Sequence, residues 1–174
     1  MQIGSLEVIA GPMFSGKTEQ LIHSILEAIQ ESLSVEAFKP CLDDRHPEAF
    51  IVSHAGSRYA AKWVQGADWT YTARALFLDE VQFFPNGIVP KVKKAVRQGH
   101  RVVLAGLDLT SGEEPFPGPI QELLALADKV TKLQAACACG RPATRSQRIV
   151  PAEGVILVGG AESYEPRCLR CFSP

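Results

Sequence analysis

Eight residues near the start, Gly11-Pro12-Met13-Phe14-Ser15-Gly16-Lys17-Thr18, constrain this chain more than any other stretch. They match G-x-x-x-x-G-K-[ST], a loop whose inward backbone N–H groups wrap a polyphosphate. In that pattern Lys17 reaches the β- and γ-phosphates and the Thr18 hydroxyl ligates Mg²⁺. The loop needs a strand before it and a helix after it, because the helix N-terminus adds its dipole to the anion site. Both flanks are present: Leu6–Ala10 reads as a buried strand and Lys17–Glu31 as a helix. A tight glycine-rich turn with no ligand would need neither. All eight residues are therefore candidate ATP- and phosphate-binding positions.

Up to about Leu133 the chain alternates short apolar runs with amphipathic segments. Strands are expected at 6–10, 35–39, 49–53, 75–78 and 101–106, and helices at 17–31, 87–98 and 119–127. This order predicts an α/β domain with a mostly parallel sheet. Ligands of such sheets bind beyond the C-terminal strand ends, where the phosphate loop would sit. From about Thr131 helical patterning stops, and cysteines, arginines and glycines take over. Two units are expected, a nucleotide-binding domain at 1–134 and a small metal-binding unit of strands and loops at 135–174. Within the second, Arg148–Val150 and Val155–Val158 read as two short strands around a turn at Pro151–Gly154.

Composition narrows the function classes. The chain has 174 residues, 46% of them apolar and 21% charged, with a net charge of −1. That balance gives no large electrostatic grip on nucleic acid or an anionic membrane. No apolar run is long enough to span a bilayer. The N-terminus shows no basic, then apolar, leader pattern, so a cytoplasmic protein is expected.

Two further patterns carry chemistry. Leu76-Phe77-Leu78-Asp79-Glu80 is an apolar strand ending in two acids, and it resembles a Walker B element. Asp79 would hold Mg²⁺, directly or through water, and Glu80 would act on the attacking group. Acids at a helix N-terminus look the same in isolation, and the phosphate loop is what favours the functional reading. The other pattern is Cys137-Ala138-Cys139 followed by Cys168-Leu169-Arg170-Cys171. Clustered cysteines in a cytosolic chain point to metal rather than disulfides. Two turn-borne pairs closing one Cys₄ zinc site is the natural reading, with four buried thiols as the alternative. Cys41 stands alone and reads as a small apolar filler. The four histidines show no metal spacing, and Trp63 and Trp69 read as packing residues.

GPMFSGKT, LFLDEVQFF (76–84), LDLTSGEEPF (107–116), KLQAAC (132–137), VGGAESY (158–164) and CLRC (168–171) occur in order along nearly the whole chain. Together they resemble the type II thymidine kinases, the zinc-containing class with a RecA-like core. The resemblance implies ATP-dependent phosphorylation of the thymidine 5′-hydroxyl, structural Zn²⁺, Mg²⁺ with ATP, a homotetramer, and feedback binding of thymidine triphosphate. It also implies roles for single residues. Glu80 matches the general base. Thr18, Asp79 and Asp43 match the magnesium-associated residues, and Arg45 the arginine near the reacting oxygen. Met13, Phe83, Leu107 and Phe116 match positions lining the nucleoside pocket. Tyr164 matches the tyrosine that closes over base and sugar. Residues 140–163 match a substrate-covering loop that holds the base through backbone groups near Leu157 and Gly159.

Without the resemblance, Met13, Phe83, Leu107 and Phe116 read as core, Tyr164 as a half-buried strand residue, and Arg45 as a surface ion pair. Three positions depart from the family pattern. C-x-C replaces C-x-x-C; residues two apart in a regular strand share a face but stand about 6.6 Å apart, too far for sulfurs on one ion, so the chain must bend at Ala138 or one ligand is lost. Ser111 stands where a phenylalanine is common. Ser146 stands where a threonine is usual near the base's 5-methyl group, which removes a methyl contact worth about 1 kcal/mol. A phosphate-loop ATPase with a zinc ribbon acting on nucleic acid is the rival reading, and charge and length weigh against it. A non-catalytic nucleotide-binding regulator is the other, and Lys17, Thr18, Asp79 and Glu80 argue against lost catalysis.

Overall fold

A computed structural model of the chain describes residues 3–41, 49–66, 69–151, 154 and 156–173. Its strands run β1 (Ser5–Ala10), β2 (Val35–Pro40), β3 (Phe50–Val52), β4 (Arg58–Ala60), β5 (Lys62–Val64), β6 (Ala75–Leu78), β7 (Arg101–Gly106), β8 (Lys129–Lys132), β9 (Ala135–Ala136), β10 (Pro142–Ala143), β11 (Arg145–Arg148) and β12 (Tyr164–Arg167). The helices are α1 (Lys17–Gln30), α2 (Ile88–Arg97) and α3 (Ile120–Leu126).

Strand alternation builds the core. In β6 the side chains of Leu76 and Leu78 join one apolar cluster, while Ala75 and Phe77 join the other. In β7, Val102 and Leu104 oppose Val103 and Ala105 in the same way. Residues that alternate in a strand point to opposite faces, so a run buried on both sides must be covered on both. The covers are amphipathic helices. α1 buries Leu21, Ile22, Ile25 and Ala28 against one face. α2 buries Ile88, Val89, Val92 and Ala95 on the other, with Ile120 and Leu123 of α3 beside them. These spacings of three and four follow the helical repeat.

The result is a six-stranded sheet in the order β5-β2-β6-β7-β1-β8, with every neighbouring pair parallel. This is the expected α/β architecture. All six C-terminal strand ends share one edge. The phosphate loop leaves β1 there, Asp79-Glu80 leaves β6, and Leu107–Phe116 leaves β7, which lies between them. Among the described residues no helix is long and apolar enough to cross a membrane.

Several elements differ from expectation. The expected strand at 49–53 forms as β3 but pairs antiparallel with β4 outside the main sheet. The sheet edges are β5 and β8, neither anticipated. In β8 Val130 is 47% exposed, and lysines occupy both ends, a common way to blunt an edge. In place of the expected hairpin of 148–150 with 155–158, β11 pairs antiparallel with β12; Ala152, Glu153 and Val155 of that expected hairpin lie outside the described residues. Ile149 still donates its N–H to the Ser163 carbonyl, but Ile156–Val158 carry no strand and turn toward a cavity instead. Cys41 is exposed rather than a buried filler.

Candidate active site

The phosphate loop is built as its glycines require. Gly11 has φ 144°, and a Cβ there would lie 2.5 Å from the Leu133 carbonyl oxygen. Ser15 Oγ donates to the Pro12 carbonyl at 2.8 Å, and Lys17 Nζ to the same oxygen at 2.7 Å. The loop thus organises its own turn and holds the lysine across it. At the start of α1, Thr18 Oγ1 lies 3.2 Å from Asp79 Oδ2. Asp79 is buried, 7% exposed, and its N–H donates to the Phe38 carbonyl of β2. A hydroxyl and a buried carboxylate meeting at a helix N-terminus form a donor set that suits a hard cation such as Mg²⁺. Glu80 follows with φ 52° and ψ 44°, a left-handed conformation rare outside glycine. Such strain costs on the order of 1–3 kcal/mol and clusters at functional sites.

A cavity of about 310 Å³ opens from these residues. Met13, Gly16, Lys17, Thr18 and Glu80 line one part of it. Phe83, Leu107, Phe116, Ser146, Leu157, Gly159 and Tyr164 line the rest. Met13, Phe83, Leu107 and Phe116, offered by the sequence either as core or as pocket, line this cavity, and Phe83, Leu107 and Phe116 also belong to or pack against the core. Phe83 and Phe116 meet edge to face, with centroids 5.7 Å apart and planes at 82°. Gly11, Pro12, Ser15 and Asp79 are absent from the cavity wall; they hold the loop and the strand end behind it. Asp43 and Arg45 lie outside the described residues.

The C-terminal segment closes the far side. Ser146 on β11 is 6% exposed, and its Oγ accepts the Met13 N–H at 2.9 Å, joining this segment to the phosphate loop. Arg145 Nε donates to Glu113 Oε1 at 2.5 Å, joining it also to the loop after β7. Tyr164 donates its hydroxyl to the Leu157 carbonyl at 2.8 Å, which ties the cavity-lining stretch Ile156–Gly159 to β12.

Some lining residues were not anticipated. Glu19 reaches the cavity from the first turn of α1, and Ser53, His54 and Ala55 reach it from the β3–β4 turn. The His54 ring lies 4.9 Å from that of Phe14, and Ser57 Oγ donates to Glu19 Oε1 at 2.8 Å. Hydroxyls of Ser53 and Ser57 hold the Glu19 carboxyl below its ordinary range. The turn-forming run Ser53–Ser57 was the only local signal, and it has no motif spacing.

Cys137, Cys139, Cys168 and Cys171 bring their sulfurs within 4.8 Å of one another. The chain does bend at Ala138: Gly140 N–H returns to the Cys137 carbonyl at 2.8 Å, closing a turn. Cys171 N–H returns to the Cys168 carbonyl at 3.0 Å in the second pair. Zn–S bonds of about 2.3 Å place tetrahedral sulfurs about 3.8 Å apart. Here Cys139 lies 3.4 Å from Cys137 and 3.6 Å from Cys168. Backbone N–H groups of Cys139 and Cys168 hold the Cys137 thiol down to about 6. Hydrogen bonds with Cys139 and Cys168 push the Cys171 thiol up to about 12, and burial and the charge on Cys137 add to this. A dication bound among the four sulfurs would favour the thiolate form of each. The four cysteines could hold a structural zinc ion.

A family model described as thymidine kinase matches residues 4–172, which takes in the phosphate loop, the acidic strand end, the covering segment and both cysteine pairs. The chain belongs to the thymidine kinase family.

Proposed function

We propose that the chain transfers the γ-phosphoryl group of ATP to the 5′-hydroxyl of thymidine, giving thymidine 5′-monophosphate and ADP. The observation that carries this is one continuous cavity with a phosphate loop at one end, an acid beside it, and aromatic walls at the other. A polyphosphate suits the first part and a flat base the last, which leaves the sugar hydroxyl near Glu80.

In this reading the loop N–H groups and Lys17 fix the triphosphate and stabilise the charge that shifts during transfer. Mg²⁺ held with Thr18 and Asp79 would supply further charge neutralisation on the phosphates; Asp43 would add a further acid and Arg45 a cation near the reacting oxygen. Glu80 accepts the 5′-hydroxyl proton as the oxygen attacks phosphorus in line. Phe83 and Phe116 wall the nucleoside, Met13 and Leu107 complete its pocket, and Tyr164 with backbone near Leu157 and Gly159 covers it. Covering excludes water, which would otherwise hydrolyse ATP. The division into units 1–134 and 135–174, a homotetramer, feedback by thymidine triphosphate and a cytoplasmic setting belong to the same reading.

ATP consumption against a panel of deoxynucleosides tests it. Thymidine should be the best acceptor and deoxyuridine the next; purines turned over equally well would overturn it. Ser146→Thr retains the oxygen that meets Met13 N–H and adds a methyl beside the base. It should raise the thymidine to deoxyuridine ratio of kcat/KM by about 3–10-fold. An unchanged ratio would remove Ser146 from the methyl pocket.

We take the four cysteines as a closed zinc site that anchors the covering segment at both ends. Purified protein should contain about one zinc per chain by elemental analysis. Stripping the metal should lower Tm and release reactive thiols, since structural zinc contributes folding free energy. A metal-free preparation with unchanged Tm and full activity would contradict the assignment.

A further inference from the structure

Glu80 holds its left-handed backbone next to a side chain that the cavity does not expose. Gln82 is 3% exposed and lies outside the residues lining the cavity. Its Nε2 donates to Glu80 Oε2 at 2.6 Å. Its Oε1 accepts the Leu107 backbone N–H at 3.0 Å. The second bond fixes the first, because a backbone N–H can face only the amide oxygen, and this turns the NH₂ toward the carboxylate. The neighbouring strand makes room for the arrangement. A Cβ on Gly106 would lie 2.6 Å from Gln82 Oε1 and 2.8 Å from Val81 Cγ1. One buried amide thus ties the acid leaving β6 to the backbone leaving β7.

We propose that Gln82 is the positioning residue for Glu80: it holds the carboxylate in the orientation that receives the substrate hydroxyl proton, with Gly106 as the clearance it needs. The proposal rests on the reading of Glu80 as general base. A donor to one carboxylate oxygen restricts rotation of the group and directs its other oxygen. Proton transfer requires hydrogen-bond reach, so a carboxylate released from this bond spends less time in the reactive geometry. Gln82 contributes nothing to substrate affinity in this scheme, because it acts only through Glu80.

The experiment is a double-mutant cycle on the full-length protein. Gln82→Met retains the length and apolar volume but has no strong donor or acceptor. It should lower kcat by about 10- to 100-fold, as expected for a misplaced catalytic group. KM for ATP and for thymidine should stay within about threefold, since uniform binding is untouched. In a Glu80→Gln background the same change should cost less than about twofold more, the non-additivity of residues acting as a unit. Gln82→Asn is the second variant: it retains a buried amide but is one methylene too short to span both partners, and should show the same pattern if Gln82→Met folds poorly. A kcat within about twofold of wild type, or an equal loss in both backgrounds, overturns the proposal and leaves Gln82 a structural tie. Near wild-type turnover of Glu80→Gln alone overturns the base reading instead, so the two failures are distinguishable.

Discussion

Replacing Glu80 by glutamine is expected to lower turnover by about 10²–10⁴-fold while ATP binding stays nearly intact. The substitution keeps shape and hydrogen-bonding capacity and removes the ability to accept a proton. Glu80 lines the cavity, follows the buried Asp79, and is held in a left-handed conformation at φ 52°. In the proposed reading the loop and Lys17 hold ATP without Glu80, so nucleotide affinity measured by calorimetry should be unchanged. Turnover near the wild-type rate at saturating thymidine would take the proton-accepting role away from this residue.

Lys17→Ala carries the second large effect, in both binding and rate. The ammonium donates to the Pro12 carbonyl at 2.7 Å within the loop itself. To reach a bound triphosphate it must turn from that carbonyl toward the β- and γ-phosphates, where charge develops during transfer. Losing one such group from a preorganised site costs about 10²–10³-fold in kcat. ATP affinity should fall as well, because the lysine also meets the ground-state phosphates. Lys17→Arg should recover part of the affinity and less of the rate, since a planar fork does not replace a compact ammonium in a tight loop. Unchanged affinity and rate in Lys17→Ala would mean that the loop is not the phosphate site.

The parts of this molecule that local chemistry dictates were legible in the sequence. A strand, a glycine loop and a helix can be recognised between Leu6 and Glu31 because each needs only its own residues. Leu76–Leu78 reads as a buried strand for the same reason. The cysteine pairs announce a shared site, and the C-x-C spacing correctly demands a bend at Ala138. Contacts made across the fold were not legible. Edge strands β5 and β8 are short and carry lysines, so their patterning is weak. The apolar run Ile156–Val158 looks like a strand but lines the cavity. Gln82 sits inside the apolar string Val81-Gln82-Phe83-Phe84, and its bonds to the Glu80 carboxylate and the Leu107 N–H, with the clearance at Gly106, exist only in the folded chain. Ser53 and His54 approach the phosphate loop through a hairpin whose placement depends on packing against α1, which no local spacing encodes.

Transfer of label from ATP carrying a radioactive γ-phosphate, with Mg²⁺ and thymidine present, tests the central claim most directly. Chromatography of the products should show the label in thymidine 5′-monophosphate, with one ADP formed for each nucleotide made and no transfer when thymidine is omitted. Label released only as inorganic phosphate, at a rate raised by DNA and unaffected by any nucleoside, would contradict the account.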